Sequence, residues 1–483
     1  MNAELRTPKA LAALVAVACA FAAGQAQAAA TVIINNVNAA GVGFNDTTAA
    51  APVGGNPGTT LGAQRLFAFQ HAANIWGATL TSSVPIYVNA SFTPLTCTAT
   101  SAVLGSAAAS SSYANFSGAP LTNTWYPTAL RNKYAGTEVT AGAGQITANF
   151  NSNLGLNANC LPGSPFYLGV DNNVPPGAVN LVVVLLHEIG HGLGFSVNPT
   201  GGSSGARSSG IPSIWELFMF DNVTGLTWFQ MTTNAQRAAS AISVDKLVWN
   251  GTNVVNDVPN VLRQGVAGAA ISGSSAGALA GATLTAQEAT FGAALTTTGV
   301  QGQLKTFYDQ ADRVTALACS ALSPANAAVV AGKVALVDRG SCNFTVKALN
   351  VQNAGAIGVI VANNAATGLP SMGGADPLVT IPSVGISQAE GNALKASLRN
   401  GSRSSPSIFA RLGLFGTLYA GADSAGRIKL YAPNPFVGGS SVSHWDTTAT
   451  RNQLMEPSIN SDLTQSVLPP QDLSFRLLQD LGW

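Results

Sequence analysis

Within the stretch Leu181 to Phe195, LVVVLLHEIGHGLGF, His187, Glu188 and His191 stand in the order H-E-x-x-H. Two imidazoles four residues apart on an α-helix lie one above the other on a single face, so both reach one metal ion. Glu188 then points beside that ion, where its carboxylate can take a proton from a zinc-activated water as a general base. With 4 His and 7 Glu in 483 residues, the pattern arises by chance about once in two thousand such chains. A zinc site is therefore preferred to a core helix with hydrogen-bonded histidines.

The six apolar residues Leu181 to Leu186 predict a helix buried on several sides, which fixes the rotamers that a metal needs. Gly194 stands where H-E-x-x-H-x-x-G requires the helix to stop and the chain to turn. At this point the sequence resembles the metzincin class of zinc peptidases. The third ligand of that class is expected at position 197, and Val197 stands there instead. The third ligand must then come from elsewhere in the chain.

Other elements must carry the motif helix. Residues 1–28 read as a secretory signal, with Arg6 and Lys9 at the charged end, the apolar run Ala10 to Ala23 and a cleavage site at Ala26-Gln27-Ala28. Simple export is preferred to lipoprotein anchoring at Cys19. No later run is apolar for about 18 residues, so no membrane span is expected. Charged residues make up 9%, the net charge is +1 and no Lys/Arg cluster occurs, which excludes a nucleic-acid surface. Leu61 to Trp76 predicts a helix through Leu66, Phe67, Phe69, Ala73 and Ile75, and His71 on it is read as structural. Ser83 to Phe92 and Gln145 to Asn151 predict strands. No long pro-segment is expected between the signal and the first helix.

After Phe195 come a Gly/Ser loop at 198 to 210, a helical patch at Ile214 to Phe220 and a linker-like composition from 265 to 285. The run ALVDRGSCNF…NAGAIGVIV, with IPSVGIS at 381 to 387, resembles the protease-associated (PA) domain over residues 285–405. That resemblance implies a non-catalytic module that binds substrates or partners.

The tail holds His444-Trp445-Asp446 and then Leu454-Met455-Glu456-Pro457. The order HEIGHGLGF, a long insertion, SHWD and LMEP resembles the leishmanolysin-type metzincins. The resemblance implies His444 as third zinc ligand, Met455 as the packing support of a methionine turn, and an open metal position for water. Histidine arithmetic agrees, since His444 is the only imidazole after the motif. Glu216 competes for the ligand role, because it follows His191 by 25 residues in a helical patch as in gluzincins. The aspartate expected four residues beyond it is displaced by one, with Phe220 before Asp221, and a one-residue shift turns a helical side chain by about 100°. Four cysteines follow the signal, Cys97, Cys160, Cys319 and Cys342, and allow three connectivities. Pairing within each module, Cys97 with Cys160 and Cys319 with Cys342, is the simplest.

The expected fold is α+β: a metzincin-like zincin domain, with a twisted sheet and an active-site helix, interrupted by a β-rich PA domain. Its parts are 29–265, the insertion 285–405, and 411–483, which ends in a short amphipathic helix over Asp472 to Trp483. The expected function is a secreted zinc endopeptidase acting on protein or peptide substrates. The competing class is a secreted binding protein with a degenerate zincin fold that works through its PA domain.

Overall fold

The computed structural model describes residues 29–197, 202–313, 315–400, 408–460 and 462–483, so the signal segment and Cys19 lie outside the described residues. The chain divides into two units. The first runs to Val261 and resumes at Arg427, and the second is Leu262–Gly426.

The first unit is built on a four-stranded sheet in the order β1 (Val32–Asn36), β2 (Ile86–Thr93), β4 (Ile146–Asn151), β3 (Gly105–Ala109). The first three are parallel, with Val32 opposite Ile86 and Val88 opposite Ile146, and β3 closes the edge antiparallel with Gly105 opposite Phe150. Helices α1 (Leu61–Thr79) and α2 (Leu181–Leu193) pack together, and the Trp76 indole N–H donates to the Leu186 carbonyl at 3.0 Å. The expected amphipathic face of α1 is only partly right. Phe69, Ala73 and Trp76 are buried with Ala68 and Ala72, whereas Leu66 and Phe67 are exposed. Small residues let α1 approach its neighbours closely, so burial there follows Ala and Trp more than Leu.

Helix α2 forms because its apolar run meets no water on any side. Every residue from Leu181 to Gly190 is buried. Asn180 caps it, its side-chain oxygen accepting from the N–H groups of Val182 and Val183 at 3.1 and 3.4 Å. Gly194 ends it at φ +123°, a conformation that L side chains rarely adopt. The C-terminal helix, Ser474–Leu481, buries Leu477, Leu478 and Leu481, and the Trp483 indole donates to Leu193 O at 2.9 Å.

The second unit is an eight-stranded mixed sheet. In chain order its strands are β5 (Gln264–Ser272), β6 (Thr283–Thr285), β7 (Gln287–Glu288), β8 (Val300–Lys305), β9 (Val334–Asp338), β10 (Gly358–Ala362), β11 (Ser383–Ile386) and β12 (Phe409–Tyr419). Across the sheet they run β6-β5-β12-β8-β9-β10-β11-β7. The central four, β8 to β11, are parallel. Parallel strands buried on both faces read as continuous apolar runs, and β10 is buried at every position. One core collects Leu336, Ile360 and Leu412, and the other collects Val337, Val359 and Val361. Helices Phe344–Asn353 and Gln388–Asn400 follow β9 and β11 in the chain.

The linker-like stretch from 265 to 285 is not a linker. It supplies β5, which pairs along β12 from Gln264 opposite Tyr419 to Ser272 opposite Phe409. Gly, Ala and Ser hide this strand from composition, because small side chains fit between a sheet and its neighbours without an apolar signature. The inserted unit is thus wider at both ends than 285–405. Its ends meet, since the Ala420 N–H donates to Arg263 O at 2.9 Å.

That closure makes a deletion testable. Replacing Leu262–Gly426 with a short flexible linker is expected to leave a soluble, folded first unit. Removing 285–405 alone strips Leu336 and Ile360 from Ile271 and Leu412, and is expected to give insoluble chain. Soluble yield and melting curves measure both, and an insoluble Leu262–Gly426 deletion would make the insert part of the first unit's core.

Candidate metal centre

The structure brings His187 and His191 from α2 together with His444, more than 250 residues on. Their Nε2 atoms approach at 3.1 Å from His187 to His191 and 3.1 Å from His191 to His444. Each Nδ1 faces a carbonyl: His187 on Leu454 O at 2.7 Å, His191 on Phe195 O at 2.7 Å and His444 on Ser440 O at 2.8 Å. A carbonyl only accepts, so each Nδ1 carries the proton and each Nε2 presents a lone pair.

Three lone pairs converging in a buried site repel one another unless a cation joins them. The observed spacing is close to the ~3.3 Å between apices of a tetrahedron with Zn–N of 2.0–2.1 Å. The donor set therefore fits zinc. Burial keeps all three rings neutral, as metal binding requires: it pushes His187 down to about 4, His444 to about 3 and His191 well below the ordinary value.

Glu188 is buried beside the histidines. Burial pushes its carboxyl up to about 8, opposed by a hydrogen bond from the Ala107 backbone on edge strand β3. Glu188 and the three histidines line a cleft of about 930 Å³, walled by Leu104 to Ala107 on one side and by Pro457 to Asn460 on another.

Met455 lies beneath. It is fully buried, and a Cβ added to Gly190 would meet its Sδ at 2.9 Å, so the glycine between the two histidines makes room for the sulfur. The same turn holds both ends of the site. Leu454 O accepts from His187, and Met455 O accepts from the Trp445 N–H at 2.8 Å.

Val197, where the sequence places a third ligand by pattern, donates its N–H to Ser443 Oγ at 3.2 Å. The position is next to His444 in space although far from it in the chain. Glu216 is elsewhere. Its patch is a short 3₁₀ turn, Ile214–Leu217, followed by a strand, not an α-helix. Its carboxylate accepts from Arg207 Nε at 2.7 Å and from the Ser213 N–H at 3.0 Å. The patch contributes through Trp215, whose ring packs tilted against Phe195 and whose indole N–H donates to Val442 O at 3.1 Å. His71 is away from the centre and bonds the Gln465 amide oxygen at 3.1 Å. The disulfides are Cys97–Cys160 and Cys319–Cys342.

Sequence reasoning missed β3 and Ala107. Gly-Ser-Ala-Ala-Ala has no β-branched or aromatic residue to mark a strand, and only its exposure, alternating along an edge, is strand-like. It also missed Asp472 and Gln453, which bond the backbone of the Met455 turn and its flank.

Glu456, next to Met455, offers a pH test away from the ligands. Burial, ahead of the nearby Asp462 and Asp446, pushes its carboxyl up to about 8. A carboxyl raised in the folded state contributes stability that is fully present below its unfolded value near 4.5 and is lost as pH rises towards about 8. Glu456→Gln is expected to flatten that decline. Melting temperatures of both proteins from pH 5 to 9 check it, and parallel curves would refute it.

Comparisons with known proteins touch both units. Residues 300–394 are a PA domain. A family model described as SPBPB7E8-like matches residues 56–202, which include the H-E-x-x-H helix. A vacuolar-sorting receptor 2 of Arabidopsis thaliana is 43% identical over 75 residues, covering 14% of this chain and 12% of that protein. A zinc aminopeptidase from Bacillus subtilis overlaps 34% of this chain and 36% of its own at 22% identity and a TM-score of 0.21. An aminopeptidase from Aneurinibacillus sp. strain AM-1 overlaps 43% of this chain and 42% of its own at 18% identity and a TM-score of 0.23. The chain therefore spans only minor parts of these proteins. Among the described residues no helix is long and apolar enough to cross a membrane.

Proposed function

We propose that the protein is a secreted zinc metalloendopeptidase of leishmanolysin-like metzincin type, interrupted by its PA domain. One observation carries the reading: three buried Nε2 atoms converge, each ring fixed by a carbonyl, with a carboxylate beside them on a wide cleft. His187, His191 and His444 would hold the ion, and Met455 would support it from below without ligation. Two disulfides and the predicted signal over 1–28 suit an oxidising, extracellular setting.

When bound, zinc supplies Lewis acidity and brings the pKa of water in its open position towards ~7. Glu188 takes the proton of the attacking water on its carboxylate and hands it to the leaving amine. A cation among the histidines favours the ionised form of Glu188, against the burial that otherwise raises it. The Ala107 N–H steadies that carboxylate.

Internally quenched peptides blocked at both ends test the reading. Cleavage that is lost with a chelator and restored by zinc supports an endopeptidase. Zinc binding without any cleavage would leave the binding-protein alternative standing, and cleavage only of peptides with free amino termini would make the enzyme an aminopeptidase.

A further inference from the structure

We propose that Asp472 is a positioning residue of the metal centre, acting on His187 through the backbone of the Met455 turn. The inference rests on the zinc reading above. Asp472 is 2% exposed and lies 28 residues beyond His444, just ahead of the C-terminal helix. One carboxylate oxygen accepts the Leu454 N–H at 2.6 Å and the other accepts the Ser474 N–H at 2.7 Å. Beside it the Leu473 N–H donates to Gln453 Oε1 at 3.0 Å. The C-terminal helix is thereby tied to two successive residues of the turn.

Leu454 is the residue whose carbonyl holds His187 Nδ1 at 2.7 Å. Its amide side is fixed by Asp472, and the next carbonyl, of Met455, is fixed by the Trp445 N–H at 2.8 Å. The Leu454 carbonyl that holds His187 Nδ1 thus lies between two anchored peptide groups. A carboxylate accepts from a peptide N–H more strongly than a neutral oxygen does, so Asp472 is suited to resist rotation of this turn. Partners that orient a ligating histidine typically change metal affinity by 10–100-fold when removed.

Asp472→Asn keeps the shape but turns an NH₂ group towards one of the two N–H donors. Zinc affinity, measured by competition with a chelator on the full chain, is expected to fall by about 10–100-fold, and the visible spectrum of the cobalt-substituted protein is expected to change. Asp480→Asn is the comparator. Asp480 sits on the C-terminal helix itself and accepts from Trp249 Nε1 at 2.9 Å and the Asn253 N–H at 2.8 Å. Its loss is expected to lower the melting temperature with zinc affinity unchanged. Should the Asn variant not fold, Asp472→Ser, too short to reach Leu454, takes its place with the same expectation. A folded Asp472 variant with wild-type affinity, or an equal loss in Asp480→Asn, overturns the positioning role. Wild-type protein that binds no stoichiometric zinc overturns the zinc reading itself, and this inference with it.

Discussion

On the proposed mechanism, Glu188→Gln is expected to give a folded protein that still binds zinc and hydrolyses peptides at least ~10²-fold more slowly, the loss that follows removal of a general base. The amide matches the carboxylate in shape and can still accept the Ala107 N–H, so neither cleft nor edge strand is disturbed. What it cannot do is take up a proton. Because Glu188 ligates nothing in the proposed site, zinc content should equal that of the wild type. Turnover near wild type in a zinc-replete Glu188→Gln protein would remove this residue from the mechanism.

His444→Ala and Glu216→Ala separate the two candidates for the third ligand. His444→Ala leaves two imidazoles, and stoichiometric zinc should disappear on dialysis together with activity. Glu216→Ala should keep zinc and lose stability instead. Glu216 is fully buried and Arg207 nearly so, and removing one partner of a buried ion pair costs about 3–5 kcal/mol. Metal analysis and melting curves on both variants read the two effects independently. Zinc lost from Glu216→Ala but retained by His444→Ala would invert the assignment.

How much of this was legible beforehand differs by element. The motif helix announced itself through a run of large apolar residues, and its end through Gly194. In the second unit the strands β9 and β10 carry the legible apolar runs VALVD and GVIVA, whereas the parallel strand β8, VQGQLK, carries none. The strands β3 and β5 were not readable, since Gly, Ala and Ser carry neither helical nor strand periodicity. The distant histidine could be named from the local HW and LM-x-P patterns and from the shortage of histidines. Its supports could not. Asp472, Gln453 and Ala107 act through hydrogen bonds between a side chain and a distant backbone group, and such bonds have no spacing rule in a sequence. Glu216 was the weaker candidate in the sequence, named for its spacing from His191 and weakened by the displaced Asp221, and its bond to Arg207 gives it another role.

The meeting of Arg263 with Ala420 bears on how the chain reaches its final form. His444 joins the two motif histidines only after the polypeptide has gone out through the insert and returned. While the insert is a coil, that return is a closure over the 253 residues between His191 and His444. Once the insert has folded, its two ends are neighbours and its 165 residues drop out of the coil to be closed, which leaves 88. Loop-closure entropy grows with the logarithm of length, so the search becomes easier by on the order of 1 kcal/mol. A large domain inserted between the residues of one site thus costs the ordering of that site little, provided it folds on its own and begins where it ends.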